Sequence, residues 1–465
     1  MRKSWLLWVF LFIIDAGLVN LGYLLAFLLR FGWAIPPNNF GPFVDLIPYI
    51  SLCVLVFFWF FELYSHTWKR RLETLYSVVI TVLFTNISAM AITFMLREFA
   101  FPRLTFVVAA VLQICLLGVW RLLWQTILDR SEGEKTVVVI GGNSHDIAHK
   151  FGSLIGRRYQ VLGLFNSAEE AEGNDAFTRA QVVCINSSIS REAREDVISR
   201  CLEEDKEVLL VPELYDILLH NASLNRVDDL AVFHIESLAL TPGQQQAKRL
   251  FDLVFSLVGL VLFLPFMLVI SAAVEFSTPG HIFYRQKRVG LNSKTFSPVK
   301  FRTMLDDAEK DLGPVLATAD DPRITPVGRL LRPLRLDELP QMINVLKGEM
   351  SFVGPRPERP FFVEQFCRDI PEYHYRLKVK PGITGLAQVQ GKYDTDAADK
   401  LRYDLYYIRN YSLLLDLQII FQTLRVVLIP EAAMGVPANR RRECGAQETA
   451  RKEPGGSEPA KELQQ

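Results

Sequence analysis

Cysteine is sparse in this chain of 465 residues, and none of it is paired. Cys53, Cys115, Cys184, Cys201, Cys367 and Cys444 include no CxxC spacing, so neither a disulfide framework nor a cysteine zinc site is expected. Net charge is absent as well: 51 Lys and Arg balance 51 Asp and Glu. That excludes a uniformly basic nucleic-acid binder and an acidic disordered chain, and no nucleic-acid partner is expected. The zero is nonetheless a sum of unlike parts. Residues 1–130 carry 10 basic and 6 acidic side chains (+4), 131–245 carry 10 and 19 (−9), 246–430 carry 25 and 20 (+5), and 431–465 carry 6 and 6. The chain is modular, and its length fits about three domains.

What is abundant is apolar length. Four stretches, 5–29, 48–64, 77–96 and 104–128, are long enough to cross a hydrocarbon core. The first is too long for a signal peptide, and no small-residue cleavage site follows it. Asp15 and Asn20 interrupt it and are expected to face the bundle interior and serve helix packing. Arg2 and Lys3 precede the first stretch, and Lys69, Arg70 and Arg71 separate the second from the third, whereas 31–47 has no Lys or Arg. The positive-inside rule then puts both ends of a four-helix transmembrane domain, 1–130, in the cytosol.

Over 131–245, strand-like runs at 136–140, 161–165, 181–185 and 207–211 alternate with helical patterns such as 191–204. The alternation predicts a small doubly wound, Rossmann-like cytosolic α/β domain. After Gly141 and Gly142, Asn143 and Asp146 stand where a GxGxxG fingerprint needs glycine. With a net charge of −9, this domain is expected to be a scaffold rather than a phosphate site. Residues 431–465, rich in Glu, Lys, Pro, Gly and Gln, read as a disordered tail.

A fifth apolar run, 250–274, has basic flanks: Lys248 and Arg249 before it, then Arg285, Lys287 and Arg288. Both flanks belong in the cytosol by the same charge rule. Pro265 lies past the middle of the run and removes a helical hydrogen bond. The expectation is a re-entrant helix, broken at Pro265, that enters one leaflet and returns.

The chemistry concentrates in 300–390. Asp337 and Glu338 are adjacent, and neighbours do not share a helix face unless they sit at a helix start. Asp337 is expected to cap a helix running to Lys347 before Gly348. Arg323, Arg329, Arg332 and Arg335 lie upstream and Arg356 downstream, a supply of guanidinium groups suited to phosphate. An acidic pair amid cations also suits a divalent metal shared with a diphosphate. The same residues fit a plain helix cap with arginines facing water or lipid headgroups.

Five segments then occur in order: KFRTM at 300–304, DPRIT at 321–325, LDELPQ at 336–341, GPRPE at 354–358 and KPGITG at 380–385. Together they resemble the bacterial sugar transferases, the monotopic phosphoglycosyl transferases. The whole chain looks like their long form, and is similar to undecaprenyl-phosphate glucose or galactose phosphotransferases of exopolysaccharide, capsule and O-antigen assembly. The resemblance implies a mostly helical α/β catalytic domain, 246–430, on the cytosolic face of the bacterial inner membrane. The expected architecture is thus a membrane α-helical bundle, a Rossmann-like domain and this monotopic domain with its re-entrant helix. It implies transfer of a hexose 1-phosphate, glucose or galactose, from a UDP-sugar to undecaprenyl phosphate with release of UMP. Asp337 matches the family's nucleophile and Glu338 its partner, both near Mg²⁺, while Lys300, Arg302, Arg332 and Arg356 match its phosphate-binding positions. Membrane lipid is a further implied partner, and a homodimer is compatible. Leu264, His281 and Pro333 depart from the usual family residues. A non-enzymatic scaffold or sensor that kept the fold is the alternative, disfavoured by the intact Asp337, Glu338, Lys300, Arg332 and Arg356.

Overall fold

The computed structural model describes residues 2–64, 71–97, 102–142, 147, 159–220, 222–305, 321, 323–391 and 395–427. It falls into two compact units, Met1–Ile235 and Glu236–Gln465. The division comes earlier than the expected boundary at 245, because the helix that starts at Pro242 belongs to the second unit. The proposed tail 431–465, Lys69 and Arg70 lie outside the described residues, as do His145 and His149, a histidine pair at helical i, i+4 spacing.

Four helices open the first unit: α1 (Arg2–Phe31), α2 (Pro37–Phe60), α3 (Arg71–Met95) and α4 (Arg103–Glu132). All four are long and apolar enough to cross a membrane. The second starts well before residue 48 because Pro36 and Pro37 suit a helix entry, where a missing N–H costs nothing, and Pro42 and Pro48 are carried inside it. The polar residues within α1 turn inward as expected. Asp15 is fully buried and ion-paired to Arg121. Arg121 also donates to the Leu63 carbonyl at 2.9 Å and lies over the rings of Phe58 and Tyr64. Tyr23 donates to Asn86 at 2.8 Å, Asn86 to Gln113 at 2.7 Å, and Gln113 to the Val19 carbonyl at 2.9 Å. A buried polar group without a partner is costly, so these bonds fix the register of the helices.

The four strands appear where the alternation placed them: β1 (Lys135–Ile140), β2 (Tyr159–Phe165), β3 (Val182–Ile185) and β4 (Glu207–Leu210), with α5 (Arg191–Glu203) between the last two. They form one parallel sheet in the order β2-β1-β3-β4. Val137 to Ile140 are all buried, as in a sheet covered on both faces. Gly141 has φ +119°, and a Cβ there would sit 2.8 Å from Asn186 Cβ and Ser188 Oγ. Glycine at this turn therefore answers to the approach of the two chain segments. An unforeseen hairpin follows, β5 (Ser223–Val227) and β6 (Leu230–His234), turned at Asp228 with φ 57°.

The second unit is built on α6 (Pro242–Ser277), a helix of 36 residues, about 54 Å long. Thr241 and Gln244 cap its start reciprocally. The expected break at Pro265 is corrected: the helix runs through it. Proline removes one bond to the Val261 carbonyl, and that local loss is outweighed because α6 is held on both sides of it. The short elements around it are β7 (Phe283–Arg285), β8 (Val299–Phe301), α7 (Pro326–Leu331), α8 (Met342–Lys347), β9 (Ser351–Val353), β10 (Gly382–Thr384), α9 (Ala397–Arg409) and α10 (Leu413–Val427).

Before Pro265, Lys248 pairs with Asp416 of α10 at 2.7 Å, and Arg249 donates to the Val345 and Leu346 carbonyls at 2.6 and 2.7 Å. Asp252 accepts from Ser351 Oγ and the Phe352 amide, both at 2.9 Å. After Pro265, Met267 and Val274 pack with Phe301 and Leu331. One face of α6 thus lies on the domain from end to end, while Leu250, Val254, Val261, Leu264 and Leu268 stand exposed on the other. This helix too is long and apolar enough to cross a membrane, but its contacts with one domain on both sides of Pro265 predict that its two ends share one side of a bilayer. Single cysteines placed by Gln245→Cys and Lys294→Cys, in a background without the native cysteines, should therefore react with an impermeant maleimide from the same side. Labelling from opposite sides would refute this docking.

Candidate active site

Asp337 and Glu338 lie on a 3₁₀ turn, Leu336–Gln341, and not at the cap of an α-helix as expected. Arg335 occupies the capping position in left-handed backbone, φ 52° and ψ 23°. The α-helix proper starts at Met342 and ends before Gly348, whose φ of 82° closes it as anticipated. At three residues per turn, side chains at i and i+3 eclipse. Leu336 and Leu339 therefore share the face that packs on Phe301 and Leu331. Glu338 shares a second face with Gln341, both buried. Asp337 is left on the third, with no hydrogen-bond partner among the described residues. The turn separates two adjacent carboxylates that one α-helical cap would not.

Glu338 is held by two cations. Lys300 Nζ donates to its Oε1 at 2.7 Å. Arg356 grips it with both terminal nitrogens, Nη2 to Oε1 at 2.8 Å and Nη1 to Oε2 at 3.4 Å. Strand alternation delivers Lys300: Val299 and Phe301 point into the core, and Lys300 faces the other way. Arg356 is delivered by backbone packed against backbone. The Gly354 amide donates to Thr384 O and the Gly382 amide to Pro355 O, both at 2.9 Å. A Cβ on Gly354 would meet Lys380 O at 2.4 Å, and one on Gly382 would meet Gly354 N at 2.1 Å, so no larger residue fits. Arg376 completes the brace. It is buried, paired with Asp404 at 2.7 Å, and donates to the Arg356 carbonyl at 2.9 Å. Sequence reasoning missed Arg376 and Asp404, because their partners are distant in the chain and no spacing marks them.

The remaining expected residues divide. Arg332 stays beside the pair, and its Nη1 is buried with no hydrogen-bond partner among the described residues. Arg302 is engaged at the end of α6: Nη2 and Nη1 donate to the Thr278 and Pro279 carbonyls at 2.6 and 2.5 Å, satisfying the chain just past that helix. Arg323 is likewise committed, forked onto Asp321 at 2.8 and 2.6 Å. Lys300, Arg332, Arg335 and Arg356 against Asp337 and Glu338 leave a surplus of two positive charges (four minus two), which suits a dianionic ligand such as a phosphate or diphosphate.

The two carboxylates are electrostatically unlike. Burial, and then the charge of Glu338, push the Asp337 carboxyl up to about 6 against the pull of Lys300, Arg332 and Arg356. Burial would raise Glu338 too, but the charges of Arg356 and Lys300 outweigh it and hold that carboxyl well below the usual range. For a divalent metal, the described residues include no cluster of three or more His, Cys, Asp or Glu. Both oxygens of Glu338 accept from Lys300 or Arg356, which makes Asp337 the freer of the two expected metal ligands. Asp337 alone is uncommitted, and one carboxylate fits Mg²⁺ when a bound phosphate supplies further oxygens.

The family described as Bacterial sugar transferase matches residues 243–430. The UDP-N-acetylgalactosamine-undecaprenyl-phosphate N-acetylgalactosaminephosphotransferase of Aeromonas hydrophila is 40% identical over 237 residues, 50% of this chain and 55% of that protein. The UDP-glucose:undecaprenyl-phosphate glucose-1-phosphate transferase of Escherichia coli (strain K12) is 39% identical over 231 residues, 49% of this chain and 50% of that protein. The exopolysaccharide production protein ExoY of Rhizobium meliloti is 39% identical over 208 residues, 42% of this chain and 91% of that protein. The chain thus spans about half the length of the first two relatives and nearly all of the third.

The unlike carboxylates predict opposite effects on stability. A raised folded pKa means that ionising Asp337 costs stability: the cost is absent below the ordinary carboxylate pKa and complete once pH passes about 6. Glu338 is depressed, so its ionised form stabilises, and that contribution is lost as pH falls through its folded pKa. Asp337→Asn should raise the melting temperature at pH 7.5, with a gain that shrinks toward pH 4, and Glu338→Gln should lower it. Each kcal/mol moves a domain of this size by about 2–4 °C. Thermal unfolding in detergent across that pH range is the check, and a destabilised Asp337→Asn protein at pH 7.5 would contradict the electrostatic assignment.

Proposed function

Because the chain belongs to the bacterial sugar transferase family, we propose that it moves a hexose 1-phosphate from a UDP-sugar to undecaprenyl phosphate in a membrane. One observation carries this reading: an uncommitted, half-buried carboxylate with a raised pKa stands beside a buried carboxylate locked by two cations. Asp337 is the nucleophile. Its oxygen attacks the phosphorus attached to the sugar, the bond to the bridging oxygen breaks, and UMP leaves with the electron pair. The sugar phosphate is then held on Asp337 as an acyl phosphate. An oxygen of undecaprenyl phosphate attacks the same phosphorus, the bond to Asp337 breaks, and the carboxylate is restored. A carboxylate approaching a diphosphate meets charge repulsion, which neighbouring cations must offset. Arg332 and the surplus charge of Lys300 and Arg356 do this, while Glu338 holds those two in place. Mg²⁺, when bound with the diphosphate, would be held by Asp337 and would neutralise developing charge on the leaving phosphate.

The exposed apolar face of α6 supports membrane attachment of this domain from one leaflet. With the charge asymmetry of the loops around α1–α4, it favours a catalytic face on the cytosolic side of the bacterial inner membrane. The relatives' names carry N-acetylgalactosamine and glucose, so the hexose is a matter for a panel of UDP-sugars, with glucose and galactose first.

The test is UMP release from UDP-sugar with undecaprenyl phosphate and Mg²⁺ present. Asp337→Asn should lose at least about 10³-fold in rate and form no phosphosugar adduct by intact-protein mass spectrometry. Arg356→Ala should chiefly weaken substrate use. Since protonated Asp337 cannot attack, kcat/KM should fall below pH about 6, and Glu338→Gln, by removing a neighbouring negative charge, should move that limb to lower pH. An active Asp337→Asn enzyme would exclude the nucleophile assignment.

A further inference from the structure

Of the four cations at the carboxylate pair, Lys300 and Arg356 are committed to Glu338, while Arg332, half-buried and without a side-chain hydrogen-bond partner or ion pair among the described residues, bears by its charge on Asp337. Arg335 too is half-buried, with neither a side-chain hydrogen-bond partner nor an ion pair among the described residues. Its backbone is left-handed, φ 52° and ψ 23°, a conformation that arginine rarely adopts and that glycine or asparagine would take at lower cost. What surrounds it is distinctive. The residues just before it, Leu330 and Leu334, are exposed, while Leu331 and Leu336 pack on the core cluster that includes Met267 and Val274 of α6. Arg335 therefore stands where an exposed apolar surface beside the lipid-facing helix gives way to the carboxylates.

A nucleotide donor has no use for exposed leucines next to its phosphates. A phosphate on a polyprenyl chain does: the chain lies along the apolar surface and the headgroup meets the first free cation. On the reading of two half-reactions above, we infer that Arg335 binds the phosphate of the lipid acceptor. It holds that group and offsets its charge while one of its oxygens attacks the phosphorus on Asp337. The bond to Asp337 breaks and the electron pair returns to the carboxylate.

The two half-reactions can be read separately on the full-length protein. Without acceptor, UDP-sugar should give a burst of UMP; with undecaprenyl phosphate, steady-state turnover gives the acceptor KM. Arg335→Asn removes the guanidinium at a position where asparagine tolerates the backbone. Its acceptor KM should rise about tenfold or more, well beyond any fall in the burst rate, and Arg335→Lys should recover part of the loss. The inference is overturned if the burst falls as much as the acceptor KM rises, or if neither moves. Should Arg335→Asn fail to fold, Arg335→Lys decides: a raised acceptor KM with a smaller change in burst supports the assignment, and an unchanged KM overturns it. If the unmodified protein gives no burst at all, the covalent reading fails, whatever Arg335 does.

Discussion

The buried Glu338 carboxylate is the contact on which the second unit converges. Three segments distant in sequence meet there: the strand bearing Lys300, the 3₁₀ turn bearing Glu338, and the proline-braced loop bearing Arg356. A single buried carboxylate would be an expense to the fold. Two cations with good geometry turn it into a fixed point, since removing the carboxylate would leave both of them uncompensated. The same fixed point makes the neighbouring carboxylate unusual. Asp337 feels the charge of Glu338 but shares none of its bonds, so the cations that stabilise one leave the other uncommitted.

Much of this was legible in the sequence, and the reasons are physical. The four parallel strands were readable because a sheet covered on both faces is written as continuous apolar runs. The four long helices were readable because apolar length needs no tertiary context. Asp337, Glu338, Lys300, Arg332 and Arg356 were found from motif and charge together. What was not legible depended on contacts across the chain. Nothing local says that Arg302 will turn to the carbonyls of Thr278 and Pro279. Nothing local says that Pro265 will be carried inside a continuous helix, because the anchors that hold it, at Asp416, Ser351 and Leu331, lie far along the sequence. The 3₁₀ geometry of Leu336–Gln341 was missed for a related reason: Leu336 and Leu339 choose the turn by packing, against Asp337's local preference to cap.

Family membership and geometry bear on different questions. The match over residues 243–430 and the near-complete coverage of ExoY speak to the second unit. The first unit, with its polar-cored helices and parallel sheet, stands on its own structure. Its Asp15–Arg121 pair and the Tyr23, Asn86 and Gln113 chain tie its helices together, while Asp15 Oδ1, Asn20 Oδ1 and Arg121 Nε are buried without a hydrogen-bond partner among the described residues.

Three successive residues of the second unit have three separate attachments. Lys300 holds Glu338, Phe301 packs on Met267 and Val274, and Arg302 holds the chain leaving the end of α6. A tilt or shift of α6 is thus conveyed to the carboxylates through one or two peptide units, with no flexible spacer to absorb it. The helix with the exposed apolar face and the carboxylate pair form one stiff lever. Whatever medium meets that apolar face thereby acts on the spacing of the carboxylates.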